Sequence, residues 1–198
     1  MKASCVAASV MLWSVAALAQ GTVNFCNLNA GAGLNAPVYY AQDGVTKLST
    51  GWTAELLAGK AANEMAICAQ TGFLTGAGAG YFQGGAVSIF NVAPGEQAFV
   101  QVRVFETAYG SYAAAMMQSM LLYPSTIYAL TGSSPVFTVT TGGGGIPPSV
   151  PAALTGLTSF KTDVMIAEPS ACALMVLGST ALLIFRRRWS QAPAFQET

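Results

Sequence analysis

An antiparallel β-sandwich is the fold class this sequence predicts, and three features carry that prediction. Short runs of β-branched and aromatic residues recur between turn dipeptides such as Asp43-Gly44 and Pro94-Gly95, the pattern of many short strands. One run, Ala98 to Phe105, alternates with a strict period of two: Val100, Val102 and Val104 on one side, Phe99, Gln101, Arg103 and Phe105 on the other. That is the mark of a half-buried strand. Within the body, helical spacing is confined to one stretch after Ser111.

The elements follow in order. Gly21 to Phe25 alternates and predicts a first strand. Pro37-Val38-Tyr39-Tyr40 and Val45 to Leu48 flank Asp43-Gly44, two residues that tolerate φ > 0 and so predict a hairpin. Thr53 to Leu57, closed by Gly59, is a further strand, and Gly76 to Gly80 reads as a flexible loop. Ala86 to Val92 and Ala98 to Phe105 predict a hairpin around Pro94-Gly95: proline presets φ, and glycine accepts φ > 0. Ala113, Met116, Met117, Met120 and Leu121 then recur at helical spacing behind Ser111 as N-cap. The methionines are expected to pack on the sheet, a soft binding surface being the alternative. Val136 to Thr140 returns to strand. Gly142 to Gly145 with Pro147, Pro148 and Pro151 predicts a linker. Leu154 to Val164 is a last strand or a stalk.

Both ends carry targeting signals. Met1-Lys2, the apolar Ala3 to Ala16 and the small-x-small triplet Ala17-Leu18-Ala19 read as a signal peptide cut before Gln20. Near the other end, Ala171 to Phe185 holds no charged residue and is followed by Arg186, Arg187 and Arg188. As a helix it would be about 22 Å long, close to the lower limit for a membrane span once Pro169, Ser170 and Trp189 are added. The arginines place the C-terminus in the cytoplasm and the body outside. The expected organisation is a signal peptide at 1–19, a β-sandwich body at 20–141, and a Gly/Pro linker at 142–153. A last strand or stalk follows at 154–166, then a sorting and membrane segment at 167–188 with its helix at 171–185, and a cytoplasmic tail at 189–198.

Composition excludes several functions. The 198 residues suffice for one domain, and only 8% of them are charged, against about 25% in typical soluble proteins. Between Gln20 and Ala167 there are four cationic and six anionic side chains. No basic patch is available to neutralise phosphates, so no nucleic-acid partner is expected. Histidine is absent, which removes Ser-His-Asp and Cys-His catalysis, His-ligated zinc and histidine acid–base chemistry. No metal or cofactor is expected.

The tripartite C-terminus resembles the PEP-CTERM sorting signal of exported bacterial proteins: a short Pro-Glu-Pro motif, an apolar helix and a basic cluster. Glu168 and Pro169 match the second and third motif positions, and Ser170 is the usual follower. Ala167 stands where the family has its first proline, and ten residues follow Arg188. The order "GTVNF", "APVY…DG", "AELLAG" and "VAPGEQAFVQVRVFE" is similar to small exported proteins of that family. This resemblance implies an immunoglobulin-like or jelly-roll body; those proteins have no agreed activity, so it supplies no catalytic residues, and no enzyme is expected. It also implies processing by signal peptidase and an exosortase-like membrane protease, and association with exopolysaccharide. The location it implies is the cell-envelope membrane, then the cell surface or the extracellular matrix. A plain single-pass anchor and a buried core helix are the alternatives.

Three further sets of residues are candidates for chemistry. Cys26 and Cys68 are the cysteines of the mature body. They read equally as a disulfide of an exported protein or as two buried thiols. Tyr39, Tyr40, Trp52, Tyr81 and Phe82 offer aromatic faces, and Trp52 with Tyr81 is the candidate sugar contact of a carbohydrate-binding module; core packing of the same residues is the alternative. Glu55, Glu96 and Glu106 are the carboxylates a glycoside hydrolase would need in pairs.

Overall fold

A computed structural model describes residues 20–122 and 128–164. The predicted signal peptide and the sorting segment from Ala167 onward lie outside the described residues. The described chain is mainly β, with strands β1 (Gly21–Cys26), β2 (Leu28–Asn29), β3 (Leu34–Asn35), β4 (Val38–Tyr39), β5 (Trp52–Gly59), β6 (Ala66–Gly72), β7 (Gln83–Ile89) and β8 (Gln97–Glu106). Helix α1 (Tyr112–Leu122) follows, then β9 (Tyr128–Ser133), β10 (Phe137–Thr140), β11 (Ala152–Ala153) and β12 (Phe160–Val164).

The strands form a large sheet of order β4-β12-β9-β8-β5-β6 with β10 also on β8, a small sheet β11-β1-β7, and the β2-β3 ribbon. Most pairs are antiparallel, but β1–β11 and β4–β12 are parallel, so the sheets are mixed rather than purely antiparallel as expected. Both sheets feed one core. Val23, Phe25 and Ile89 of the small sheet meet Ala54, Leu56, Val100, Val102 and Val104 of the large one. Phe82 links Phe25 (ring centroids 4.9 Å) and Phe73 (5.6 Å), aromatic pairs adding about 1 kcal/mol each beyond area burial.

Strand β8 behaves as its alternation predicts on the core face: Val100, Val102 and Val104 are fully buried. One edge is paired with β5 from Phe99 to Glu106. Its other edge is shared by β9 and β10. At the break between them, Ser134 replaces the missing ladder: its N–H donates to Val102 O and its Oγ accepts from Val102 N.

The expected hairpin between 86–92 and 98–105 does not form. β7 pairs with β1 and β8 with β5, so the strands belong to different sheets. The Pro94-Gly95 turn does form, with Glu96 N–H donating to Ala93 O and Gly95 at φ 83°. The backbone around it is satisfied by two other segments, however. Thr141 Oγ1 donates to Ala93 O, and Gly21 N–H donates to Val92 O. The turn is therefore a corner between sheets, which a local pattern does not distinguish from a hairpin.

Residues 142–153 are likewise not a free linker. Thr22 and Gly142 exchange backbone hydrogen bonds, Ser149 folds back on Gly143 and Gly144, and β11 runs parallel to β1. A Cβ on Gly142 would stand 2.0 Å from Val150 O, so only glycine permits this approach. Residues 160–164 are a strand within the large sheet rather than a stalk. Besides the two-residue strands β2, β3 and β11, two longer strands carried too weak a signal to be expected: β6, whose residues are mostly exposed or half-buried, and β9, interrupted by Gly132. That glycine lets β12 close in, since a Cβ there would meet Thr162 Cα at 2.8 Å.

Around Asp43-Gly44 the carboxylate of Asp43 accepts from Val45 N, Thr46 N and Thr46 Oγ1. These bonds, that to the Thr46 hydroxyl first, hold its pKa down at about 2 and shape the loop as an Asx turn.

Candidate functional site

The polar row on the outer face of the large sheet gathers the titratable groups that depart furthest from the core pattern. Register places Gln70, Glu55, Arg103 and Ser133 side by side across β6, β5, β8 and β9. Glu55 is 1% exposed, yet both its oxygens are paired: Arg103 Nη2 donates to Oε1 at 2.8 Å and Gln70 Nε2 to Oε2 at 2.7 Å. The Arg103 guanidinium also lies over the Tyr112 ring, 4.4 Å from its centroid, a cation–π contact. Tyr112 opens α1, and Ser111 caps that helix by accepting from Ala114 N at 3.2 Å.

Asp163 of β12 completes the cluster, accepting from Thr131 Oγ1 at 3.4 Å. Burial raises its pKa, and the Thr131 hydrogen bond opposes the shift. Burial also raises the Tyr112 phenol, reinforced by the Asp163 charge and opposed by Arg103. Because Asp163 binds its proton more tightly folded than unfolded, its stabilising contribution is complete below 3.8 and is lost as pH rises through the raised value. Asp163→Asn is therefore expected to raise the melting temperature at neutral pH and to change nothing below the unfolded pKa. A melting series across pH reads this directly, and a gain independent of pH would refute it.

The geometry is that of a sealed structural network. Glu55 has both oxygens committed, and the guanidinium is held between a carboxylate and a ring. A substrate would need to displace these partners. The other two candidate carboxylates, Glu96 and Glu106, lie far from each other. Glu96 sits in the turn before β8, accepting from Ala93 N and facing Lys60 at 3.8 Å. Glu106 ends β8, ten residues on, which is about 33 Å along an extended strand. Paired glycosidase carboxylates stand about 5–9.5 Å apart, so Glu96 and Glu106 are not such a pair.

The aromatic candidates separate. Trp52 is only 6% exposed; its indole N–H donates to Tyr40 Oη at 2.8 Å, and the two rings meet edge to face at 5.5 Å. Of the two readings of Trp52, sugar contact and core packing, the sugar contact is the one to drop: the ring is a core residue whose polar edge is already satisfied. Phe82 is buried as well. Tyr81 is half-buried, donates to Asn35 Oδ1 at 2.8 Å and carries Lys47 Nζ 5.1 Å from its ring centroid. It borders a cleft of about 280 Å³ that also includes Asn24, Asn29, Leu74 and Gln83, with Cys26 lining it.

Cys26 and Cys68 are both free thiols. The topology keeps them apart. Cys26 pairs with Gln83 at the start of β7, whereas Cys68 lies by Phe90, just past the end of β7. Seven residues of extended chain span about 23 Å, and a disulfide needs Cα atoms within about 7 Å. Burial raises both thiol pKa values. Alkylation without reductant is thus expected to be slow in the folded protein and to label both cysteines once it is denatured. A Cys26–Cys68 cross-linked peptide would overturn this.

Sequence reasoning missed the Glu55–Arg103–Tyr112–Asp163 cluster, and also Asn27, a fully buried amide described below. The available signal for the first was the lone Arg103 in an alternating strand: a cation there needs a partner. Ala17 and Ala19, together with Glu168, Pro169, Ser170 and Arg186 to Arg188, lie outside the described residues; Gln20 is the first residue described. Among the described residues, no helix is long and apolar enough to cross a membrane, and no three His, Cys, Asp or Glu side chains group as a metal site. Comparison of the chain with protein-family models, with curated proteins and with solved structures finds no match.

Proposed function

We propose that this is an exported, non-catalytic surface or extracellular-matrix protein of structural or adhesive type, built on a β-sandwich body and sorted through a PEP-CTERM-like C-terminal signal. The supporting observation is the sealed state of Glu55: both its carboxylate oxygens are committed, one to Arg103 and one to Gln70, which fits a structural role better than a hydrolytic one. The partners on this reading are signal peptidase, an exosortase-like protease, the membrane before processing and exopolysaccharide after it.

Intact-mass analysis of native membrane and extracellular fractions tests the reading. A released species that starts at Gln20 and lacks everything beyond about Glu168 is the expected result. A membrane-bound species that retains Arg186 to Thr198, with nothing released, would replace sorting by simple anchoring.

The cleft beside Tyr81 favours carbohydrate binding as the second reading. Three carboxamides, Asn24, Asn29 and Gln83, border it together with one phenol ring, a donor and acceptor set suited to sugar hydroxyls. Binding of the purified polysaccharide that is lost in Tyr81→Ala and kept in Tyr109→Ala would support it. Equal binding by both variants would exclude the cleft.

A further inference from the structure

Helix α1 carries its largest apolar side chains outward. Met116, Met117, Met120 and Leu121 are all exposed, Met117 at 66% and Leu121 at 72%, while the residues it buries are Ala115 and Ser119. This overturns the expectation that the methionines pack on the sheet. The reason lies in the small face. Ser119 Oγ donates to Ala115 O at 2.9 Å and accepts from Leu130 N at 2.8 Å, so α1 lies against β9 through its short side chains and its long ones are left over. The helix contains no charged residue, so no charge holds its outer face in water.

Register tells where this face sits. Tyr112 is near Thr131 and Ser133, and Ser119 bonds Leu130, so α1 runs antiparallel to β9 and its C-terminal end lies toward the start of that strand. The start of β9 is Tyr128, whose partner is Val164, the last residue of β12. Leu121 and Val164, both exposed, are therefore at one end of the body. From Val164 the chain has seven Cα steps to Ala171, where the uncharged run 171–185 begins. Fully extended, that connection reaches at most about 24 Å.

We propose that the Met116–Leu121 face of α1 is a lipid-docking surface, seated in the headgroup region of the bilayer that the 171–185 segment enters. The proposal rests on reading 171–185 as a membrane segment. The tether confines this end of the body to the bilayer surface, where binding is effectively intramolecular and weak contacts suffice. Flexible methionine side chains suit the irregular boundary of headgroup and acyl chain, and an apolar helix face lying in that plane is a known mode of association. Processing beyond Glu168 would remove the tether and release the face, coupling cleavage to departure from the membrane.

The test uses the full chain in nanodiscs of phosphatidylcholine and phosphatidylglycerol. An environment-sensitive fluorescent amino acid is placed singly at Met117, Leu121, Val45 or Leu177, and quenched by nitroxide-labelled lipid. Labels at Met117 and Leu121 are expected to be quenched and blue-shifted, and the label at exposed Val45 neither. If Leu177 is quenched while Met117 and Leu121 behave like Val45, the docking surface is refuted and the membrane segment stands. If Leu177 is not quenched, the membrane reading itself fails. A blue shift at Met117 and Leu121 without lipid quenching would mean that protein covers the helix, and also overturns the proposal.

Discussion

Asn27→Ala is expected to destabilise the protein by about 4 kcal/mol, because two buried backbone groups lose their partners at about 1–3 kcal/mol each and a small cavity opens. Asn27 is fully buried. Its Nδ2 donates to Ala36 O and Gly80 O, both at 2.8 Å, and its Oδ1 accepts from Phe82 N at 2.8 Å. The amide thus ties the end of β1 to the segment before β4 and to the segment before β7. Gly80 O retains a second donor, Val38 N, so the orphans are Ala36 O and Phe82 N. Asn27→Asp should do no better. It keeps the acceptor but turns a carboxylate toward two carbonyl oxygens. Urea unfolding monitored by circular dichroism would read the loss as a lower midpoint at unchanged slope. A shift of under about 1 kcal/mol in Asn27→Ala would show that water replaces the amide, contrary to its complete burial.

Removing one member of the buried ion pair should cost nearly as much as removing Asn27. In Arg103→Met, Glu55 keeps Gln70 but loses its cation while remaining 1% exposed. A buried carboxylate stripped of its partner costs about 3 kcal/mol or more. The double variant Glu55→Leu with Arg103→Met removes the charge as well as its partner, and is expected to be close to neutral or mildly stabilising. The contrast between single and double variants in thermal melts is the measurement. A single-variant loss below about 1 kcal/mol would place the pair with solvent-exposed ion pairs, whose value is that small. The 24% exposure of Arg103 sets the estimate at the lower end of the buried range.

How much of this was legible in the chain depended on the range of the signal. The first strand, the strand after Trp52, the alternating strand at 98–105, the helix behind Ser111 and the strand at 136–140 were all readable, because each is encoded by neighbours within a few residues. The Pro94-Gly95 turn was readable as a turn, yet its role was not. Whether the flanking strands pair with each other or diverge is decided by Thr141 and Gly21, distant in sequence. Trp52 illustrates the same limit. An indole is equally suited to a surface and a core, and only the arrival of Tyr40 edge-on, with a hydroxyl for its N–H, made it a core residue. For the cysteines, spacing alone left a bridge open; the length of β7 closes it.

By itself, the sequence determined that the body is mainly β, where most of its strands and its helix lie, and that β8 alternates between two unlike faces. Those properties follow from local periodicity and turn chemistry, which act before any long-range contact exists. The tertiary structure alone decided which strands share a sheet, that Gly142 to Ala153 joins the small sheet, and that α1 presents its methionines outward. The physical reason is that apolar alternation specifies a face but not a partner. Partners are selected by close approach at Gly132 and Gly142, by the Asn27 amide that satisfies three backbone groups at once, and by the Ser119 hydroxyl that seats a helix on its small side.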